Sequence, residues 1–203
     1  MTAISRRVLT PTVGKTDLAH ERVKRMVAIL TRSGATARAL KVVMGDGVGN
    51  IEVLGRYPDF ATGSKAAVAI AADPDSITLL AEREKIQSSI LQGPYVYRDV
   101  FGEVSRQPVM LFREYQISRQ NLKHAIELMP EVKAAMHAST GLFAVVPVFA
   151  PVMDRFGVSY YFDSPEDMGE KIDSHAMSPA FQAVVAKASQ YGTLLNSSVR
   201  LAI

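Results

Sequence analysis

The chain has 203 residues, 48% of them hydrophobic and 21% charged, with a formal net charge of +3, the profile of a globular protein able to bury a substantial core. It has no cysteine and four histidines, which excludes disulfides, thiolate zinc sites and thiol catalysis and makes a multi-histidine metal site unexpected. The longest apolar run, Leu142 to Met153, spans about 12 residues and contains Pro147 and Pro151, well short of the ~20 a membrane helix needs.

Arg6 and Arg7 are followed by no apolar segment of the kind a secretory signal carries, so a cytoplasmic protein is expected. Charge is unevenly placed. Residues 1–41 hold nine Lys/Arg against Asp17 and Glu21, a local balance of +7 that leaves −4 for the remainder. The same segment has no Phe, Tyr or Trp to stack on bases, so it reads as a solvated basic face and nucleic acid is not expected. A membrane partner is not expected either.

The first element is a strand over Arg7–Val13. A helix starting at Leu18 can be capped by Thr16 or Asp17 and repeats apolar residues at Leu18, Val23, Met26, Val27 and Leu30, with Glu21, Arg22, Lys24 and Arg25 opposite. Gly34 ends it. Strands Ala39–Met44 and Asn50–Tyr57 flank Gly45-Asp46-Gly47-Val48-Gly49. That run lacks the Lys-Ser/Thr of a phosphate loop and joins two strands, so it is a hairpin turn. A helical region from Phe60 to about Gln92 is interrupted at Asp73-Pro74, and strand Tyr95–Val104 follows. The order then repeats: strand Val109–Ile117, a helix from about Arg119 to Ala138 that Pro130 should kink or restart, strands Leu142–Phe149 and Val158–Phe162, a helical region from Pro165 to about Leu195, and strand Ser198–Ile203.

One register relates the two runs. Tyr57 to Phe162 and Pro74 to Pro179 are both separations of 105 residues, which predicts a tandem duplication. Each half reads β-α-β-β-α-β, the ferredoxin-like order, giving an α+β fold with repeats at 1–104 and 105–203. Leu142-Phe143-Ala144-Val145-Val146-Pro147-Val148-Phe149 is apolar at every position. A sheet wetted on one face alternates, so both faces here must be buried, one by helices and one by the other half's sheet. The two sheets are therefore expected to close on a shared barrel-like core.

Tyr161-Phe162-Asp163-Ser164-Pro165-Glu166-Asp167-Met168 leading to Ser174-His175-Ala176-Met177-Ser178-Pro179-Ala180-Phe181 resembles the strand-to-helix segment of the dimeric α+β barrel superfamily, with its antibiotic-biosynthesis monooxygenase, EthD-like, haem-degrading and NIPSNAP-like families. The resemblance covers the whole chain as two fused copies. It implies the barrel architecture, and activities ranging from oxygenases and isomerases to proteins without known chemistry.

The copies differ at His175, which falls opposite Ile70 at the 105 offset and follows Met168 and Ile172 at seven and three residues. It is either a packed histidine hydrogen-bonded to a carbonyl, or a pocket histidine serving as proton carrier or, as the haem-degrading members imply, an iron ligand. The chain has no tryptophan, which weighs against haem, and no cofactor is expected. His20 and His124 read as surface residues, and His137 as a partner of a helix dipole. Strand tyrosines suit a core with a hydroxyl left for a ligand. The candidate site is His175 as proton carrier, with Tyr115, Tyr160, Met168, Ile172 and Phe181 around an apolar pocket between sheet and helices of the second half.

These residues point to a small-molecule-binding protein whose partner is a small apolar or aromatic compound. Its catalytic form is a cofactor-independent monooxygenase or isomerase. The alternatives are a non-catalytic ligand-binding or assembly protein and, less favoured, a haem-binding or haem-degrading one. Homo-oligomerisation is left open.

Overall fold

The computed structural model of the chain describes residues 2–203. Eight strands, β1 (Ala3–Pro11), β2 (Thr36–Gly45), β3 (Ile51–Tyr57), β4 (Ser89–Gly102), β5 (Val109–Ile117), β6 (Gly141–Phe149), β7 (Arg155–Phe162) and β8 (Gly192–Ala202), close into one barrel. Their order around it is β1-β3-β2-β8-β5-β7-β6-β4, every pairing antiparallel. The first four strands form one half of the wall and the last four the other. The seams are β2 against β8 and β4 against β6.

Helices lie outside. α1 (Thr16–Arg32), α2 (Phe60–Ala72) and α3 (Pro74–Lys85) cover the first half; α4 (Leu122–Ala134), α5 (Pro165–Lys171), a π-helical turn (Ile172–Ala176) and α6 (Pro179–Ala188) cover the second. Chain punctuation explains their ends. Gly34, at φ 94, takes the left-handed conformation after α1 that other residues resist. Asp59, Asp73, Ser164 and Ser178 each accept a backbone N–H at a helix start, and Pro74, Pro165 and Pro179 stand in first turns that need no N–H.

The period-two alternation of the strands divides the core in three. Ala3, Leu9, Ala39, Ile51, Val53 and Tyr57 face the first helical layer with Val23 and Leu30. Leu111, Leu142, Ala144, Val158, Tyr160 and Phe162 face the second with Leu128 and Val132. Ile4, Leu40, Met110, Phe112, Phe143 and Tyr161 fill the barrel itself. Leu142–Val146 thus divides as its composition requires: Phe143 inward, Leu142, Ala144 and Val146 outward. At Gly157 a Cβ would stand 2.9 Å from the Phe112 ring, so only glycine lets that ring occupy the lumen.

Several expectations are corrected. The basic N-terminal segment is not simply a solvated face. Arg22 is buried and donates to Ile86 O, Ser88 Oγ and Glu82 O, tying α1 to the end of α3 and the segment after it. Arg6 and Arg38 point into the barrel. α4 does not restart at Pro130 but continues to Ala134: proline forgoes the one backbone bond to Ile126 O, and sheet packing of Leu128, Met129 and Val132 holds the helix in place. β8 begins at Gly192 rather than Ser198, since its whole length pairs with β5.

Candidate functional site

Two adjoining clefts lie between the second half's sheet and its helices, sharing Arg113, Tyr160 and Phe181. With their mouths they enclose about 410 and 850 Å³. Strand alternation aims Arg113 and Tyr115 of β5 and Tyr160 and Phe162 of β7 at the helices. Met129 and Val132 of α4 and Phe181 and Val184 of α6 face them across the larger cleft. The smaller is closed by Met136, His137, Ile172 and His175.

Of the residues predicted from sequence, His175, Tyr115, Tyr160, Ile172 and Phe181 line these clefts. Met168 does not. It is buried in the core under the sheet, because the segment leaves α-helical spacing after Lys171. The π-helical turn over Ile172–Ala176 carries an extra residue per turn, so His175 does not follow Met168 at α-helical spacing, while Ile172 and His175 still meet at the smaller cleft. Ile172 is 37% exposed, touching the cleft only at its rim, while His175 is half-buried.

His137 belongs to the site and sits beside His175, with ring centroids 5.2 Å apart and planes at 88°. Lys133 Nζ donates to Ala138 O and Thr140 O, fixing the loop that presents it. The hydrogen bonds assign both tautomers. The single hydroxyl proton of Ser174 goes to Glu170 O at 2.7 Å, so Ser174 Oγ accepts from His175 Nδ1 at 2.7 Å, leaving His175 Nε2 with a lone pair. Conversely, the Ser139 N–H donates to His137 Nδ1 at 3.3 Å with the Ser139 hydroxyl at 2.9 Å. Neutral His137 therefore carries its proton on Nε2. The smaller cleft thus holds one imidazole poised to accept a proton and one poised to give one.

Arg113 was not singled out by sequence. Its guanidinium lies 5.5 Å from the centre of the Tyr160 ring, its buried Nε has no hydrogen-bond partner, and among the described residues it forms no ion pair. Burial, then Tyr115, pushes the Tyr160 hydroxyl above its ordinary 10 while Arg113 opposes them, so Tyr160 keeps its proton and stays a donor. Arg113 and Tyr160 therefore offer positive charge and a hydrogen bond to an oxygen that gains negative charge in an apolar cleft. The missed signal was the period of two: Arg113 shares a strand face with Tyr115.

The remaining histidines lie elsewhere. His124 stacks on Tyr191 at 5.4 Å on the exposed side of α4. His20 is half-buried, with a partnerless Nε2, rather than a surface residue. Among the described residues no cluster of three His, Cys, Asp or Glu could hold a metal ion, and no helix is long and apolar enough to cross a membrane.

No protein-family model matches the chain, and no curated protein sequence matches it. Its fold is nevertheless shared with solved structures that superpose over nearly the whole chain. An anthrone oxidase-like protein superposes with a TM-score of 0.65 at 12% identity, covering 100% of this chain and 91% of its own. An inferred monooxygenase of Lactobacillus acidophilus does so at 0.63 and 10%, covering 100% and 93%. A variant of chlorite dismutase from Candidatus Nitrospira defluvii reaches 0.59 at 8%, covering 100% and 91%.

Proposed function

We propose that the second-half clefts bind a small, flat, apolar molecule with an enolisable carbonyl or phenol and that the protein oxidises it with O2 without a cofactor. The observation that carries this reading is the pair of imidazoles in opposite tautomers at a cleft where Arg113 has no carboxylate partner. His175 Nε2 takes a proton from the activated methylene; the Arg113 guanidinium and the Tyr160 O–H stabilise the enolate oxygen. The enolate carbon adds to O2, and the peroxide formed takes up a proton, His137 Nε2–H being the donor at hand. Loss of the remaining C–H proton and cleavage of the O–O bond then release water. The balance is CH2 + O2 → C=O + H2O, carbon oxidised and oxygen reduced. An isomerase would use the same base and oxyanion pair but return the proton to another carbon.

Anthrone is a suitable probe, supported by the neighbour named anthrone oxidase-like. The parent should consume one O2 per anthrone. His175→Leu should lower the rate about a hundredfold or more, as expected for loss of a general base, while Ile70→Leu, at the matching position of the first half, leaves it unchanged. Proton exchange from the methylene without O2 uptake would replace oxidation with isomerisation. A parent no faster than His175→Leu would leave a non-catalytic binding protein.

The lone pair on His175 Nε2 is also what an iron would need. Were haem bound, His175 would hold it and the iron would supply the redox chemistry. A Soret shift in the parent that disappears in His175→Leu would favour that alternative.

A further inference from the structure

The barrel lumen is a separate space on the opposite face of the sheet from the clefts. Alternation sends Arg6 of β1, Arg38 of β2, Arg56 of β3 and Arg200 of β8 inward, and Arg106, on the segment between β4 and β5, stands at the mouth. The chamber they line encloses about 1540 Å³ with its opening. Its walls are aromatic: Tyr97, Phe112, Phe143 and Tyr161.

The charges in this chamber do not balance. Glu52 is the carboxylate shared by Arg6 at 2.6 Å and Arg200 at 2.9 Å, beside a Phe112 ring whose centre is 4.0 Å from the Arg200 guanidinium. Arg38 gives Nη1 to Ser105 O at 3.0 Å and lies 5.4 Å from the Tyr161 ring centre, with no carboxylate. Among the described residues Arg56 has neither ion pair nor side-chain hydrogen bond, and its buried Nε is partnerless. Arg200, 4% exposed, also leaves Nε without a partner. Beyond the Arg6–Phe112–Arg200 layer, the other end of the lumen is lined by Asp46, Glu52 and Glu114. The lumen is therefore cationic at one end and carries its acids at the other. Arg38 and Arg56 are half-buried without a carboxylate partner, and the fork geometry of their guanidinium groups matches an oxyanion.

We propose that the cationic end of the lumen is a second ligand site, for an aromatic molecule bearing an oxyanion, with Arg56 and Arg38 taking the oxyanion, the aromatic walls its rings, and Arg106 at the entrance. The site stands independently of the cleft chemistry. It would serve as a regulatory or storage site for an acidic aromatic compound while the clefts act on a neutral one.

Anilinonaphthalenesulfonate, a fluorescent aromatic oxyanion, tests it against phenylnaphthylamine, the same rings without the sulfonate. The parent should bind the sulfonate about tenfold more tightly. Arg56→Met should remove that preference while leaving phenylnaphthylamine affinity unchanged, and Arg56→Lys should restore part of it. Arg106 is exposed, so Arg106→Met folds regardless and should weaken the sulfonate about threefold with a shallower salt dependence. The cleft variant Arg113→Met should leave the preference for the sulfonate over phenylnaphthylamine in place. Equal affinity for the two probes, an unchanged preference in both Arg56→Met and Arg106→Met, or a preference lost only in Arg113→Met would each overturn the proposal, the last assigning the probe to the cleft.

Discussion

Glu52→Ala should be the most damaging single substitution in the barrel, costing about 3–5 kcal/mol, the range for breaking a buried ion pair and stranding its partner. Glu52 is 2% exposed and joins Arg6 to Arg200 across the lumen. Without it two guanidinium groups face each other over Phe112. Cation–π attraction returns only about 2 kcal/mol when desolvated. Burial works against the Glu52 charge, but Arg200 and Arg6 outweigh it and hold the carboxyl below its ordinary 4.5. The sign follows: a depressed folded pKa contributes stability that is present above the unfolded value and lost as pH falls through the folded one. Burial also pushes Arg200 down to about 10, which leaves it charged at neutral pH. Urea denaturation should show the Glu52→Ala deficit at neutral pH and its shrinkage below about pH 4.5, where the parent loses the same contribution. Glu52→Leu combined with Arg200→Met should recover much of the loss, because Arg6, with a side chain 21% exposed, can reach water. A Glu52→Ala variant as stable as the parent would show that the triad contributes nothing net.

Separating the halves should have a larger effect still. Residues 1–104 alone leave β2 and β4 as open edges, and residues 105–203 leave β6 and β8. Each also exposes the lumen face of its sheet, including Ile4 and Leu40 or Phe112, Phe143 and Tyr161, an apolar surface that monomers seldom present. The halves should precipitate alone, or pair with themselves or each other when mixed, in sizing and thermal melts. Two monomeric halves, each melting cooperatively and showing no affinity for the other, would contradict a single closed barrel core.

The barrel was legible because Leu142–Val146 has no polar face, and a strand buried on both sides requires a second sheet. The buried charges were not. A lysine or arginine alternating with aliphatic residues reads as a solvent-facing position, as Arg200 does between Val199 and Leu201. In a closed barrel that second face is the lumen, so the same pattern conceals an internal ion pair. Helix spacing misplaced residues for a different reason. Met168 was grouped with His175 on an α-helical face, but it packs in the core while His175 and Ile172 reach the cleft, the spacing changing at the π-helical turn over Ile172–Ala176, and nothing local in Ile-Asp-Ser-His-Ala announces it. His137 read as a helix-end residue because its contact with His175 joins segments 38 residues apart in sequence, a pairing that only tertiary structure sets. Arg113 could have been found, since Tyr115 on the same face was already a candidate.

Methionine methyl groups report on the clefts and the lumen separately: Met129 and Met136 line the clefts, Met110 the lumen, and Met168 neither. Titrating methyl-labelled protein with anthrone under argon, so that binding precedes any oxidation, tests where a neutral flat aromatic sits. The account predicts saturable shifts of the Met129 and Met136 resonances with Met110 and Met168 unmoved, weakened in Arg113→Met. Shifts confined to Met110, or none at Met129 and Met136, would contradict the assignment of the second-half clefts as the functional site.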